Sequence, residues 1–307
     1  MGICDQGARW VHRNGGIMVS RSLAVGLWRR GCGWALVSFL MVLSGLSSPV
    51  AATERPSPQR VVSMNLCTDQ LAMLVADEDQ LASVSALSRD PVSSAMAEEA
   101  QAYPINHGRA EEVHLLNPDL VIAGRFSAGA TLSMLKRLDI PVAVFEPATS
   151  LEDVRANLLR MGELLGRAER AEDLVEAFDQ RLAMLSGVPL EPPEAALYFP
   201  NGYTRGEDTL IGDIVHAAGF DNIASGLGID AGGHLPLEQL VVADPELVIT
   251  GSRNRGDSRS QAIMEHPVLE EVARFGTHRG LFNREWVCGT PRVLAAVERI
   301  GALRGDL

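Results

Sequence analysis

The sequence predicts an α/β protein of two like-built lobes behind an N-terminal targeting segment. Three observations predict it: strand-loop-helix-strand alternation where the body of the chain begins, an internal repeat of fifteen residues, and a long helical stretch between the two copies.

The alternation comes first. Residues 60–64 (RVVSM) read as a buried strand, 69–76 (DQLAMLVA) carry helical spacing, and 81–86 (LASVSA) read as a second strand. The repeat is more informative. Residues 110–124 read AEEVHLLNPDLVIAG and 237–251 read LEQLVVADPELVITG. Aligned without gaps, Glu111 falls on Glu238, Pro118 on Pro245, Leu120 on Leu247, Val121 on Val248, Ile122 on Ile249 and Gly124 on Gly251. In each copy a short helix should end at the residue before proline, where the proline ring crowds helical backbone. The apolar run that follows should be a buried, parallel strand. A chance match of two generic helix-strand units is the competing reading, and two copies do not make a solenoid.

Between the copies, Ser150 and Asp153 have the spacing of a capping box. From there to residue 185, Leu158, Met161, Leu165, Ala168, Ala171, Leu174, Val175, Phe178, Leu182 and Leu185 form an apolar stripe at three- and four-residue steps. One helix over residues 151–185 would span about 50 Å at 1.5 Å per residue. Gly162 and Gly166 leave two helices as an alternative. Gly187, Pro189, Pro192 and Pro193 end the segment, and 195–199 opens the second half with a new strand. The expected layout is a signal segment (1–52), an N-terminal lobe (53–149), a linking helix (150–187) and a C-terminal lobe (188–307).

The signal reading rests on Arg21, Arg29 and Arg30 ahead of an apolar run at 34–46, with small residues at 50–52 for cleavage after Ala52. The run is short for a membrane span; an uncleaved anchor is the alternative. The stretch before Met18 lacks signal character, which makes Met18 an alternative start. The whole chain carries a formal net charge of −12. Removing five arginines and one aspartate with the signal makes it −16. A chain this acidic repels nucleic acid and anionic membranes. Export would also leave only two of the four cysteines, Cys67 and Cys288.

Catalytic motifs are absent. Gly256-Asp257-Ser258 sits in a polar loop without the strand-elbow context of a hydrolase serine, and no phosphate-binding glycine loop occurs. The histidines of the exported part (His107, His114, His216, His234, His266, His278) show no metal-ligand spacing.

Two α/β lobes joined by a helical segment, together with the pieces VVSMNLCTDQLAMLVA, the two repeat copies, TLIGDIVHAAGFDNIA and TPRVLAAVERIGAL, resemble the siderophore- and vitamin B12-binding class of periplasmic proteins. The resemblance covers nearly all of the exported chain. It implies two Rossmann-like lobes joined by a long rigid α-helix, with a ligand cleft between them at the carboxyl ends of the strands. The implied function is capture of a metal chelate, a cobalamin or other corrinoid or a ferric siderophore, and delivery to the permease dimer of an ABC importer. The protein would be a periplasmic monomer without intrinsic cofactor, resident metal or enzymatic activity. A free zinc- or manganese-binding protein, and a periplasmic sensor or enzyme on the same fold, are the alternatives.

The resemblance also assigns residues. Glu111 and Glu238, one per lobe, correspond to the acids that pair with permease arginines; two solvated helix acids are the plainer reading. The loop Asn65, Leu66, Cys67, Thr68 would line the cleft, or else Thr68 or Asp69 caps the following helix. Trp286 and Cys288 lie in the loop before Pro291 and the last helix. Cys67 and Cys288 would form a disulfide, remain inert thiols, or contact the ligand. Further cleft candidates from loops next to strands are Arg89, Arg125, Phe126, Tyr203, Arg205, His234 and Arg253, aromatics for flat apolar contact and arginines for anionic groups.

Overall fold

The computed structural model describes residues 56–187, 189–251, 259–272 and 283–307. The expected signal segment, Arg253, His278 and the 256–258 loop lie outside the described residues.

The first half alternates as its sequence pattern requires: β1 (Val61–Ser63), α1 (Leu66–Val75), β2 (Leu81–Ser85), β3 (Ile105–Asn106), α2 (Ala110–Leu115), β4 (Leu120–Gly124), α3 (Gly129–Arg137) and β5 (Val142–Phe145). Its five strands form one parallel sheet in the order β3-β2-β1-β4-β5. β1 and β4 are buried along their whole length, Ser63 included, as strands covered on both faces should be. α1 starts earlier than its spacing indicated. Its cap is Asn65, whose side chain accepts from the Cys67 N–H at 3.0 Å; neither Thr68 nor Asp69 caps it.

The linking segment is not one long helix. α4 (Leu151–Leu165) and α5 (Ala168–Leu185) are separated by Gly166, which takes the left-handed conformation (φ 67°) and closes α4. α4 is about 22 Å long. The chain then doubles back: the Arg155 guanidinium meets Asp179 at 2.5 Å, and Gly162 faces Ala171. A Cβ on Gly162 would lie 2.5 Å from that of Ala171, so only glycine allows this approach. The capping box is present, with Ser150 Oγ accepting from the Asp153 N–H and Asp153 accepting from the Ser150 N–H, both at 3.1 Å.

The second half runs β6 (Glu194–Tyr198), β7 (Tyr203–Arg205), α6 (Leu210–Ala217), β8 (Asp221–Asn222), α7 (Ile223–Gly226), β9 (Gly232–His234), α8 (Leu237–Ala243), β10 (Leu247–Thr250), α9 (Pro267–Val272) and α10 (Val293–Ala302). β10, β6 and β8 make a parallel sheet, and β7 pairs antiparallel with β9.

The repeat is structural. β4 lies beside β1 with Leu120 opposite Val61, and β10 lies beside β6 with Leu247 opposite Ala195. Val113 and Leu240 are the fully buried helix residues of the two copies. Asn117 (φ 48°) and Asp244 (φ 46°) both turn the chain through left-handed backbone just before the repeat prolines. Even the next acid is reused. Asp119 accepts from the Gln59 and Arg60 N–H groups at 2.6 and 3.0 Å, and Glu246 accepts from the Glu194 N–H at 2.8 Å.

α4 ties the halves together. Leu151, Val154, Leu158, Met161 and Leu165 are all buried, and they belong to one apolar cluster that also holds Val61, Leu71 and Ile122 from the first half and Leu197, Ile214 and Val297 from the second. Leu151 N–H also donates to Asp213 on α6 at 2.7 Å. Among the described residues no helix is long and apolar enough to cross a membrane.

Candidate functional site

A cavity of about 740 Å³ opens where the loops after β5 and β6 meet the loop before α10. Pro147, Ala148 and Thr149 form one wall, directly after β5. Phe199, Tyr203 and Arg205 follow β6, Asp208 and Thr209 lead into α6 and Leu210 and Ile211 begin it, and Ala231 and Gly232 lie at the start of β9. Trp286 and Val287 close the remaining side. This is the position where α/β proteins bind ligands, outside the carboxyl ends of parallel strands, and the volume suits a small-molecule site.

Local chemistry fixes these walls. Thr209 Oγ1 accepts from the Gly212 N–H at 3.2 Å and donates to the Gly206 carbonyl at 2.7 Å, so it caps α6 and holds the turn. Thr149 gives both its N–H (2.7 Å) and its hydroxyl (2.9 Å) to Asp153. Burial works upward on the Asp153 carboxyl, but the bonds from Thr149 and Ser150 outweigh it and hold the group below its ordinary value. The Arg205 guanidinium lies over the Tyr203 ring, 5.1 Å from its centre. Both side chains reach the cavity with Trp286, itself only 8% exposed. Among the described residues the lining is an apolar and aromatic surface with the Arg205 guanidinium and the Asp208 carboxylate, suited to a flat ligand carrying polar or charged substituents.

Cys67 and Cys288 are disulfide-bonded, with Cα atoms 4.9 Å apart. The bond joins the start of α1 to the loop that supplies Trp286 and Val287. Two more contacts cross beside it: Arg292 pairs with Glu99 at 2.6 Å, and Arg284 donates to the Pro91 carbonyl at 2.8 Å. These thiols are therefore not free to hold a metal. Among the described residues no three His, Cys, Asp or Glu side chains are grouped as metal ligands.

Of the sequence candidates, Tyr203, Arg205 and Trp286 line the cavity. The others have different surroundings. Asn65 caps α1 and rests against Gly124, Leu66 is buried, and Thr68 shares a hydrogen bond with Ser63 at 2.8 Å. Arg89 donates to the Ala100, Gln101 and Tyr103 carbonyls, which engages it in holding the 86–103 segment. Arg125 pairs with Glu146 at 2.9 Å, and Phe126 beside it is 86% exposed. His234 is exposed at the end of β9, opposite Tyr203. Glu111 and Glu238 are exposed on α2 and α8, and the charge of Glu238 joins burial in raising the Tyr198 phenol above its ordinary value.

Sequence reasoning missed the 147–149 loop, although the strand-end rule applied to β5 points to it. It also missed Phe199, Asp208 and Thr209, which lie next to residues it named.

Comparison with known proteins places this architecture. Residues 61–277 match the family model described as periplasmic binding protein. A cobalamin-binding protein of Halobacterium salinarum is 30% identical over 225 residues, covering 71% of this chain and 61% of that relative; the chain thus spans less than two thirds of its length. A vitamin B12-binding protein of Yersinia pestis is 26% identical over 268 residues, covering 85% of this chain and 90% of the relative. Among solved structures, the apo form of a periplasmic heme-binding protein from Roseiflexus superposes with a TM-score of 0.66 at 20% identity, covering 81% of this chain and 98% of that one. With parallel sheets in both halves, a cavity at their strand ends and a family match over most of the body of the chain, this protein belongs to the periplasmic binding protein family.

Proposed function

We propose that this chain is the substrate-binding protein of an ABC importer and carries a metal chelate, a corrinoid before a ferric siderophore, in the cavity bounded by Tyr203, Arg205 and Trp286. The observation that carries the reading is the cavity itself: about 740 Å³, open to solvent, aromatic on two sides and furnished with the Arg205 guanidinium. A tetrapyrrole-like chelate offers a flat apolar ring for Trp286 and Phe199 and peripheral amides or carboxylates for Arg205. The names of two relatives, cobalamin-binding and vitamin B12-binding, favour the corrinoid.

On this reading residues 1–52 direct export and are removed, and the protein works in the periplasm as a monomer without chemistry of its own. The lobes are 53–149 and 188–307, bridged by 150–187. Their shared core through α4 disfavours wide opening, so the ligand enters and leaves an open, stiff cleft. Glu111 and Glu238 would dock the loaded protein on basic residues of the permease, setting orientation and encounter rate.

Isothermal titration of the exported form against cyanocobalamin, haemin, a ferric hydroxamate, and free zinc and manganese ions tests the ligand. Export would remove Trp10, Trp28 and Trp34, so Trp286 becomes a single reporter next to the site. Binding of a chelate that weakens in Arg205→Ala and Tyr203→Ala supports the proposal. Binding of free metal alone, or of nothing, overturns it.

A further inference from the structure

The two repeat helices share more than their glutamates. Leu115, one turn after Glu111, is 83% exposed; Val242, one turn after Glu238, is 85% exposed. Residues four apart on a helix lie on one face, and the buried Val113 and Leu240 fix the opposite face against each core. Each half therefore presents an acid and a bare branched aliphatic side by side on an outward face, at the same place in the repeat. A single exposed leucine carries no message, since much of any protein surface is apolar. The same exposure at equivalent positions of two diverged copies, each next to an acid, does.

Resting on the importer-docking reading above, we infer that Leu115 and Val242 are the apolar anchors of permease docking. The occupant is a membrane permease of two like subunits, offering twice over a basic residue beside an apolar socket. Charge selects it. The chain is strongly acidic, and a second copy would set Glu111 and Glu238 against like charges. An anionic bilayer surface would repel the same acids. The acids steer the encounter, and the aliphatics hold the complex once water is excluded.

The test uses the exported full chain and the purified permease–ATPase complex of the same organism in nanodiscs, with association and dissociation rates measured at low and high salt. Leu115→Ser and Val242→Ser are each expected to speed dissociation roughly tenfold with the salt dependence intact, and the double variant roughly a hundredfold. Glu111→Gln and Glu238→Gln are expected to slow association and flatten the salt dependence. Unfolding curves confirm that the exposed substitutions leave the fold alone. If the serine variants bind as the parent does while the glutamine variants do not, the anchors are refuted and glutamate docking stands. If no variant changes binding, the docking reading itself fails. Loss at only one of the two sites overturns the paired arrangement. A dimer of this chain in sedimentation that Leu115→Ser with Val242→Ser abolishes would assign the face to self-association instead.

Discussion

Gly289 passes Ala148 so closely that a Cβ on the glycine would stand 2.2 Å from the alanine Cβ. Ala148 belongs to the cavity wall after β5, and Gly289 lies two residues beyond Val287, which lines another wall. Any side chain there must push the two walls apart. Gly289→Ala is therefore expected to weaken chelate binding by tenfold or more, together with a loss of about 1–3 kcal/mol in stability from overpacking. Calorimetric titration and urea unfolding on the same preparation check both; unchanged affinity would mean that this contact does not set the width of the cavity.

The Cys67–Cys288 bond closes a loop with a sequence separation of 221. Cross-linking so long a loop removes much entropy from the unfolded chain. Cys67→Ser with Cys288→Ser is expected to lower stability by about 3–5 kcal/mol. The oxidised parent should show no titratable thiol at these positions before unfolding or after. The Arg292–Glu99 pair and the α4 core remain in the variant, so it should still fold, with a lower urea midpoint. Equal midpoints would deny the bond a stabilising role.

Asp69 supplies a pH dependence. It is fully buried, and burial pushes its carboxyl above the ordinary value against the pull of the Ser63, Ser85 and Ser88 hydroxyls. The folded state then holds its proton to higher pH than the unfolded chain, in which the group titrates near 3.8. Stability from this residue is greatest below that value and declines as pH rises from there through the folded value. Asp69→Asn is expected to remove that decline. Urea unfolding of both proteins at a series of pH values from about 3 upward gives the difference curve; a flat difference would count against a raised carboxyl.

Gly162 and Gly129 make a matched pair. Gly162→Ala drives a methyl into Ala171 and is expected to cost about 1–3 kcal/mol. At Gly129, where α3 starts, an added methyl would meet nothing within 4 Å. Gly129→Ala should be neutral or stabilise by up to about 1 kcal/mol. Comparison of urea midpoints decides. Similar effects at both sites would mean that the α4–α5 approach is soft.

What was legible in the sequence was local and periodic. β4 is an unbroken apolar run and β1 and β10 are apolar up to a final Ser63 and Thr250, and the Ser150–Asp153 capping box is a matter of spacing alone. The repeat aligned without a gap, and its match extends to the left-handed Asn117 and Asp244. The break in the linking helix was not decidable from spacing, because it depends on α5 folding back onto Gly162. The start of α1 was misplaced because Thr68 and Asp69 read as polar cap residues ahead of the helix, yet both lie inside it and are at most 1% exposed. The β7–β9 pair, three residues each with two glycines in β9, carries too little pattern to be seen. In the site, strand-end reasoning found Tyr203 and Arg205. It misjudged Arg89 and Arg125, because a sequence does not say which arginines are already engaged by a carbonyl or a carboxylate inside the fold.

The distance along the chain between Cys67 and Cys288 also sets a schedule. At about 5–20 residues per second, roughly 10–45 s pass between the synthesis of the two. All strands of the first sheet precede Cys288 in the chain, so none of their pairing requires the disulfide. On the export reading Cys67 also reaches the oxidising side of the membrane first, and it stays a thiol without its partner until the loop before α10 follows. For this chain, early oxidation is a hazard and late oxidation is maturation.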